Sequence, residues 1–314
     1  MNHLTEYAKR HFLKEASNVE VAVYSGSKGE EGFITLFFFS DGKPILVAKV
    51  ARTRRGLERL RHEYTSLRQV SRLLRRSQLE PTIDTPLDLV ELDGLGVLFK
   101  ENKDGILGSK YLRSLFLRKR KTERFLYLSI DWLINFTKQT QELHLNSPDA
   151  KQRAIQDLVA GKALPNYARV FIENSSFFVA PTHGELLPAN ILIDQRRQQV
   201  RCILDFENFR MDGLPIADLM GLIISSGTLV FSRNETAIDS MFLQKGWFLS
   251  LCSDCIKKFC REFSVDTQAF KEVMPLYSDR AIGLCLKWNK KGKSLQFHQR
   301  LKRILIGKKN DILI

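Results

Sequence analysis

Residues 181–207 read PTHGELLPANILIDQRRQQVRCILDFE. Glu185 stands five residues before Asn190, and Asp205 follows fifteen residues later, with His183 just ahead of them. His183, Glu185 and Asn190 share one short loop, and a β-type run at 200–204 delivers Asp205. A carboxylate, an amide and a second carboxylate in this order suit phosphoryl transfer. The first orients an attacking hydroxyl, and the other two hold Mg²⁺ against the phosphates of a nucleotide. Hard oxygen ligands suit magnesium, which keeps several waters and needs few protein groups.

Such groups need elements to hold them. Residues 19–50 predict a three-stranded antiparallel sheet, with Val19, Val21 and Val23 alternating, a β-prone run at 33–39, and a third strand at 45–50. Asp41-Gly42 marks the tight turn before the third strand. The first connection, SGSKGEEG at 25–32, carries Gly26, Ser27, Gly29 and Gly32. Glycines let backbone amides come close to a phosphate, although an ordinary hairpin turn has the same composition. The third strand presents Lys49. Glu63 follows in GLERLRHEYTSLRQV, a helix with Leu57, Leu60, Tyr64 and Leu67 on one face. A strand-like segment at 94–102 comes next, then a long helix over about 122–144 and a short helix near 154–160. From Asp218 onward the pattern is mainly helical.

The loop with Glu185, Asn190 and Asp205 resembles the HGDxxxxN…D signature of the aminoglycoside phosphotransferase and choline kinase family, a branch of the protein-kinase-like fold. The resemblance covers about residues 19–230. It implies an α+β chain of two lobes, a β-rich nucleotide-binding lobe at 1–101 and a mainly helical catalytic and acceptor-binding lobe at 102–314, with the site between them. It also implies ATP and Mg²⁺ as cofactors. Lys49 on its strand resembles the kinase V-A-I-K lysine, which pairs with a helix glutamate, here Glu63, and contacts the α- and β-phosphates. Glu101 to Asp104 matches the hinge that holds adenine. Asn190 and Asp205 match the metal ligands. His183 matches a histidine that braces the loop, and Asp218 an aspartate that caps a helix or accepts hydrogen bonds from the loop backbone. Glu207, in DFE, either tunes the metal site or forms an ion pair.

One departure stands out. Glu185 occupies the place of the family's catalytic Asp. The two carboxylic acids have ordinary pKa values of about 4.3 and 3.9, so the proton chemistry is conserved. The extra methylene, however, moves the carboxylate by about one bond length, and about 1 Å of misplacement can cost a hundredfold in rate. Three readings follow: an active re-spaced site, a slow enzyme, or a pseudokinase that binds nucleotide without turnover.

Composition narrows the acceptor and partners. The net charge is +14, of which residues 1–101 account for only +2. The excess lies in two runs, 110–124 (Lys110 and Arg124 at its ends) and 287–309 (Lys287 and Lys309 at its ends). Either is also explained as a solvated surface; together they point to an anionic partner. An aminoglycoside polycation fits this charge poorly, whereas a neutral or anionic small molecule or glycan hydroxyl fits it. An anionic membrane surface is a second candidate partner. Nucleic acid is disfavoured because the runs lack interleaved aromatic residues. The pseudokinase alternative would use the same basic surface to dock an acidic partner or membrane. Five cysteines, an odd number, do not form a secreted disulfide framework. Cys252, Cys255 and Cys260 have the spacing of one buried helix face, with a zinc site as the competing reading. With no leader-like N-terminus and no long apolar run, the expectation is a cytoplasmic protein, peripheral at the membrane if the basic runs engage lipid.

Overall fold

The computed structural model describes residues 2–16, 18–25, 32–113, 118–159, 176–231, 238–287 and 292–307. The chain is α+β and packs as two compact units. The first is Met1–Gly105 with Arg201–Asn208, and the second is Ile106–Val200 with Phe209–Ile314.

The first unit is built on five strands, β1 (Glu20–Ser25), β2 (Ile34–Ser40), β3 (Lys43–Ala51), β4 (Pro86–Leu92) and β5 (Leu95–Glu101). Their order is β1-β2-β3-β5-β4 and every pairing is antiparallel. The three expected strands are present, and β4 is an addition that sequence reading did not supply. Asp41 and Gly42 both have positive φ, 51° and 70°, as the tight turn between β2 and β3 requires. Asp93 and Gly94, at 51° and 76°, repeat the device between β4 and β5.

The sheet has two differently used faces because side chains alternate along each strand. On one face Leu36, Phe38, Leu46, Ala48, Val50, Val97 and Phe99 form a cluster with Leu4, Ala8 and Leu13. The last three come from α1 (Asn2–His11) and the residues just after it. Tyr7 of α1 donates its hydroxyl to Asp88 at 2.7 Å and fastens the helix to β4. The opposite face meets α2 (Arg54–Leu73), where Ala51, Leu60 and Leu98 pack with Leu57, Phe33, Tyr64 and Leu89. Thr53 caps α2, its hydroxyl accepting the Gly56 N–H at 3.1 Å. Leu60, Glu63, Leu67 and Val70 all lie on the buried stripe of α2. A carboxylate therefore occupies a position whose spacing is apolar.

The second unit opens with β6 (Ile106–Leu107) and α3 (Gly108–Arg113). Next come α4 (Arg118–Gln139) and α5 (Pro148–Leu158). Ser147 caps α5 and Pro148 takes its first position, so the short helix begins earlier than expected. Four short strands follow: β7 (Ala180–Thr182), β8 (Ile191–Asp194), β9 (Gln199–Ile203) and β10 (Arg210–Gly213). β7 pairs with β10, and β6 with β8. β9 starts in this unit and its last residues belong to the first. The unit ends in α6 (Pro215–Phe231), α7 (Trp247–Phe263), α8 (Thr267–Lys287) and α9 (Lys293–Gly307).

α6 is buried on nearly every side, as its apolar composition demands. Among the described residues no helix is long and apolar enough to cross a membrane. Cys252, Cys255 and Cys260 are buried along α7, where burial pushes the Cys255 thiol up to about 12 and Cys260 up to about 11. Thiols held protonated in this way act as apolar packing groups.

Candidate active site

The expected functional residues fall into two groups, one in each unit. In the first unit, register places Lys49 of β3 opposite Leu98 of β5, on the sheet face that α2 covers. Its ammonium donates to Glu63 Oε2 at 2.7 Å and to Asp205 Oδ1 at 2.8 Å, with Glu207 Oε2 at 3.8 Å. Glu63, Asp205 and Glu207 each place an oxygen within 4.8 Å of the others, a set that could also take a cation. The Lys49 side chain is 14 % exposed and the Glu63 side chain is fully buried. Burial opposes the Lys49 charge, but the Glu63 and Asp205 carboxylates outweigh it and hold the ammonium above the ordinary lysine range. Burial likewise opposes the Glu63 charge, and Lys100 and Lys49 together pull its carboxyl below the usual value.

Asp205 joins this group because residues 201–208 belong to the first unit. Ile203 bridges to Ile83, and Glu207 accepts from the Arg59 guanidinium at 2.8 and 2.9 Å. Glu207 is thus an ion-pair partner of α2, one of its two expected roles. Asp205 has φ +64°, a left-handed conformation uncommon outside glycine, asparagine and aspartate. Strained backbone of this kind gathers at functional positions.

Four residues here escaped sequence reading. Lys100, on β5, ion-pairs with Glu63 at 3.0 Å and with Asp84 at 2.7 Å, and all three are buried. For Asp84 burial outweighs the nearby ammonium and pushes the carboxyl up, whereas Lys100 is held charged by two carboxylates; the short separation decides for an ion pair at neutral pH. Phe33 offers its ring to two cations, with Lys49 Nζ at 4.4 Å and Arg59 Cζ at 4.7 Å from its centroid. The available signal was a charged residue closing an apolar strand, LGVLFKE, which predicts a buried partner only once the fold is known.

Glu101 ends β5, donates its N–H to the Thr85 carbonyl at 3.1 Å, and pairs its carboxylate with Lys103 at 2.8 Å. Gly26, Ser27 and Gly29 lie outside the described residues.

In the second unit the loop after β7 carries His183, Glu185 and Asn190. Gly184 has φ +82°, which a side chain would oppose, and so turns the chain between His183 and Glu185. His183 is fully buried, and its Nδ1 accepts the Glu185 N–H at 3.2 Å. Asn190, in a 3₁₀ turn at Pro188–Asn190, donates its amide to the Glu185 carbonyl at 2.9 Å. Asp218, in the first turn of α6, accepts the N–H of His183 at 2.8 Å and of Leu186 at 3.4 Å. Burial pushes the Asp218 carboxyl up, against the pull of His183, its N–H and Arg280. Of its two expected roles, accepting hydrogen bonds from the loop is the one observed. Both ends of the Glu185 peptide are therefore anchored, through His183 and Asn190, and the loop is anchored to α6.

No family model matches the chain, and no curated protein does. Among solved structures, the chain is similar to a macrolide 2'-phosphotransferase from Brachybacterium faecium, at 15% identity over 97% of this chain and 98% of that one, with a TM-score of 0.46. An aminoglycoside phosphotransferase from Streptomyces rimosus, in complex with ADP and streptomycin, shows 13% identity over 88% and 99%, with a TM-score of 0.47. An aminoglycoside-3'-phosphotransferase of type VIII shows 16% over 95% and 98%, with a TM-score of 0.45.

Proposed function

We propose that this protein is an ATP- and Mg²⁺-dependent phosphotransferase that transfers the γ-phosphoryl group to a hydroxyl of a small molecule or glycan. The observation that carries this reading is the buried Lys49–Glu63 pair with Asp205 at its edge. An ammonium held charged in a low-dielectric setting is preorganised to neutralise phosphate, so little reorganisation is needed when nucleotide arrives. By their chemistry, Asp205 and Asn190 each suit magnesium. Asp205 is a carboxylate one third exposed, and Asn190 has committed its amide nitrogen to Glu185, which leaves its oxygen as an acceptor. When bound, the metal would supply charge neutralisation at the bridging phosphate oxygens. Glu185 would orient the acceptor hydroxyl and take its proton, from a loop whose backbone is anchored at His183, Asn190 and Asp218.

The acceptor class we infer is neutral or anionic. Arg280 of α8 is half-buried and, among the described residues, has no hydrogen-bond or ion-pair partner. Its charge acts on Tyr277 and Asp218, and Tyr277 also feels Glu185. A guanidinium whose charge reaches Asp218, the residue that anchors the Glu185 loop, suits a phosphate or carboxylate on the acceptor better than a polycation. Part of the basic surplus is engaged internally: Arg118 donates to the Val230 carbonyl, and Lys302 and Arg300 pair with Asp279 and Asp239. Docking of the remaining charge on an anionic membrane is a secondary proposal, tested by co-sedimentation with anionic against neutral vesicles.

The deciding experiment is thermal unfolding with Mg·ATP, for the wild type and Asp205→Asn. Ligand at a hundred times its dissociation constant adds about 2.7 kcal/mol, a midpoint rise of roughly 4 °C for a chain of this length. A metal-dependent rise lost in Asp205→Asn is expected, since asparagine tolerates the positive φ but is a poorer metal ligand. Turnover is then sought across neutral and anionic acceptors. No rise at millimolar Mg·ATP, from a cooperatively folding sample, refutes the nucleotide site. Binding without turnover on any acceptor favours the pseudokinase reading.

A further inference from the structure

The Lys49–Glu63 pair has a neighbour whose presence the phosphoryl-transfer roles do not require. Cross-strand register sets Val47 opposite Lys100 and Lys49 opposite Leu98, so the two lysines are diagonal neighbours on one sheet face. Both reach the same carboxylate: Lys49 bonds Glu63 Oε2 at 2.7 Å and Lys100 bonds Oε1 at 3.0 Å. Lys100 is in turn held from behind by Asp84 at 2.7 Å. The result is a row, Asp84–Lys100–Glu63–Lys49–Asp205, in which charges alternate in sign; its first three members are buried and it reaches solvent at Asp205.

We propose that Lys100, held by Asp84, is a positioning residue of the nucleotide site, a role that rests on the reading of Lys49 as a phosphate ligand. An ammonium has three N–H donors and can hold a carboxylate and a phosphate together, but its single charge is then shared, and a buried carboxylate with no other cation would be left under-neutralised. Here Glu63 keeps a second ammonium at its other oxygen. The helix carboxylate stays fixed and neutralised while Lys49 turns part of its charge to the nucleotide. Lys100 touches no reacting atom in this scheme; it acts through Glu63.

The test pairs Lys100→Met with Asp84→Asn, so that neither charge is left alone in the interior. Binding of Mg·ATP and of adenosine is measured by calorimetry on the full chain. The double variant is expected to weaken Mg·ATP by about tenfold or more, the loss of one well-placed charged hydrogen bond. Adenosine, which lacks phosphates, is expected to bind as it does to the wild type. A merely structural role would weaken both ligands alike, and wild-type affinity for both overturns the proposal equally. If the wild type binds neither ligand, the nucleotide reading itself fails. Hydrogen exchange along α2 then decides the positioning role. Faster exchange around Glu63 in the double variant upholds Lys100 as the group that fixes this carboxylate, and unchanged exchange overturns it.

Discussion

Replacing Asp218 by alanine tests whether the loop that carries Glu185 is organised from α6. The carboxylate is 3 % exposed and accepts two backbone N–H groups, from His183 at 2.8 Å and from Leu186 at 3.4 Å. The shorter contact is charge-assisted, and losing such a bond costs about 1.5–3 kcal/mol; the longer one is weaker, about 0.5–1 kcal/mol. The gross penalty is therefore about 2–4 kcal/mol. It is partly offset because the variant no longer buries a carboxylate, whose desolvation is visible in its raised pKa. A net loss of about 1–3 kcal/mol in urea unfolding is expected. The functional effect is larger than the stability effect. Freed N–H groups let the backbone between His183 and Leu186 shift, and a displacement of about 1 Å at Glu185 lowers turnover by about a hundredfold. Affinity for Mg·ATP should fall less than turnover, because Lys49, Glu63 and Asp205 belong to the other unit and, of the proposed metal ligands, only Asn190 hangs from this loop. The paired assays are equilibrium unfolding and single-turnover transfer at saturating nucleotide. An Asp218→Ala protein with wild-type stability and wild-type turnover would refute the idea that this aspartate holds the loop.

Two further expectations come from the same structure. Gly184→Ala forces a side chain into φ +82° and should cost about 1–2 kcal/mol in denaturant unfolding, with turnover reduced more than nucleotide affinity. His144 stacks on Phe178 at 4.5 Å, shares a 3.0 Å hydrogen bond with the Thr137 carbonyl, and has its pKa lowered chiefly by burial. A histidine whose folded-state pKa is depressed favours the native state while neutral. Its contribution is present above the ordinary histidine value, about 6.5, and is lost as pH falls through the lower native value. His144→Gln should flatten the stability–pH curve below pH ~6.5, and an unaltered slope would reject this assignment.

The order of elements was readable from the amino-acid sequence because it depends on local patterns. Alternating valines, the Asp41-Gly42 turn and the helical spacing from Leu57 to Leu67 each report the backbone directly. The loop from His183 to Asn190 and the later Asp205 were readable for a related reason: few chemistries need those residue types in that order. The strand β4 was not recognised, although Asp93-Gly94 carried the same turn signal as Asp41-Gly42. Its residues are all half-buried or exposed and show no clean alternation.

What only tertiary structure decided is which charged groups meet inside. Glu63 could be seen on an apolar stripe, but a stripe names a face and not a partner. Asp84 lies just before β4, 16 residues from Lys100 on β5, and Lys100 reaches Glu63 only because β5 lies against β3 in one particular register. A shift of that register by one residue would turn Lys100 to the α1 face of the sheet. That Glu207 meets Arg59 likewise followed only from the path of residues 201–208. Local sequence determines which backbone forms and which chemistry is available. The pairing of buried charges depends on register and helix rotation, which are set by packing across the whole unit.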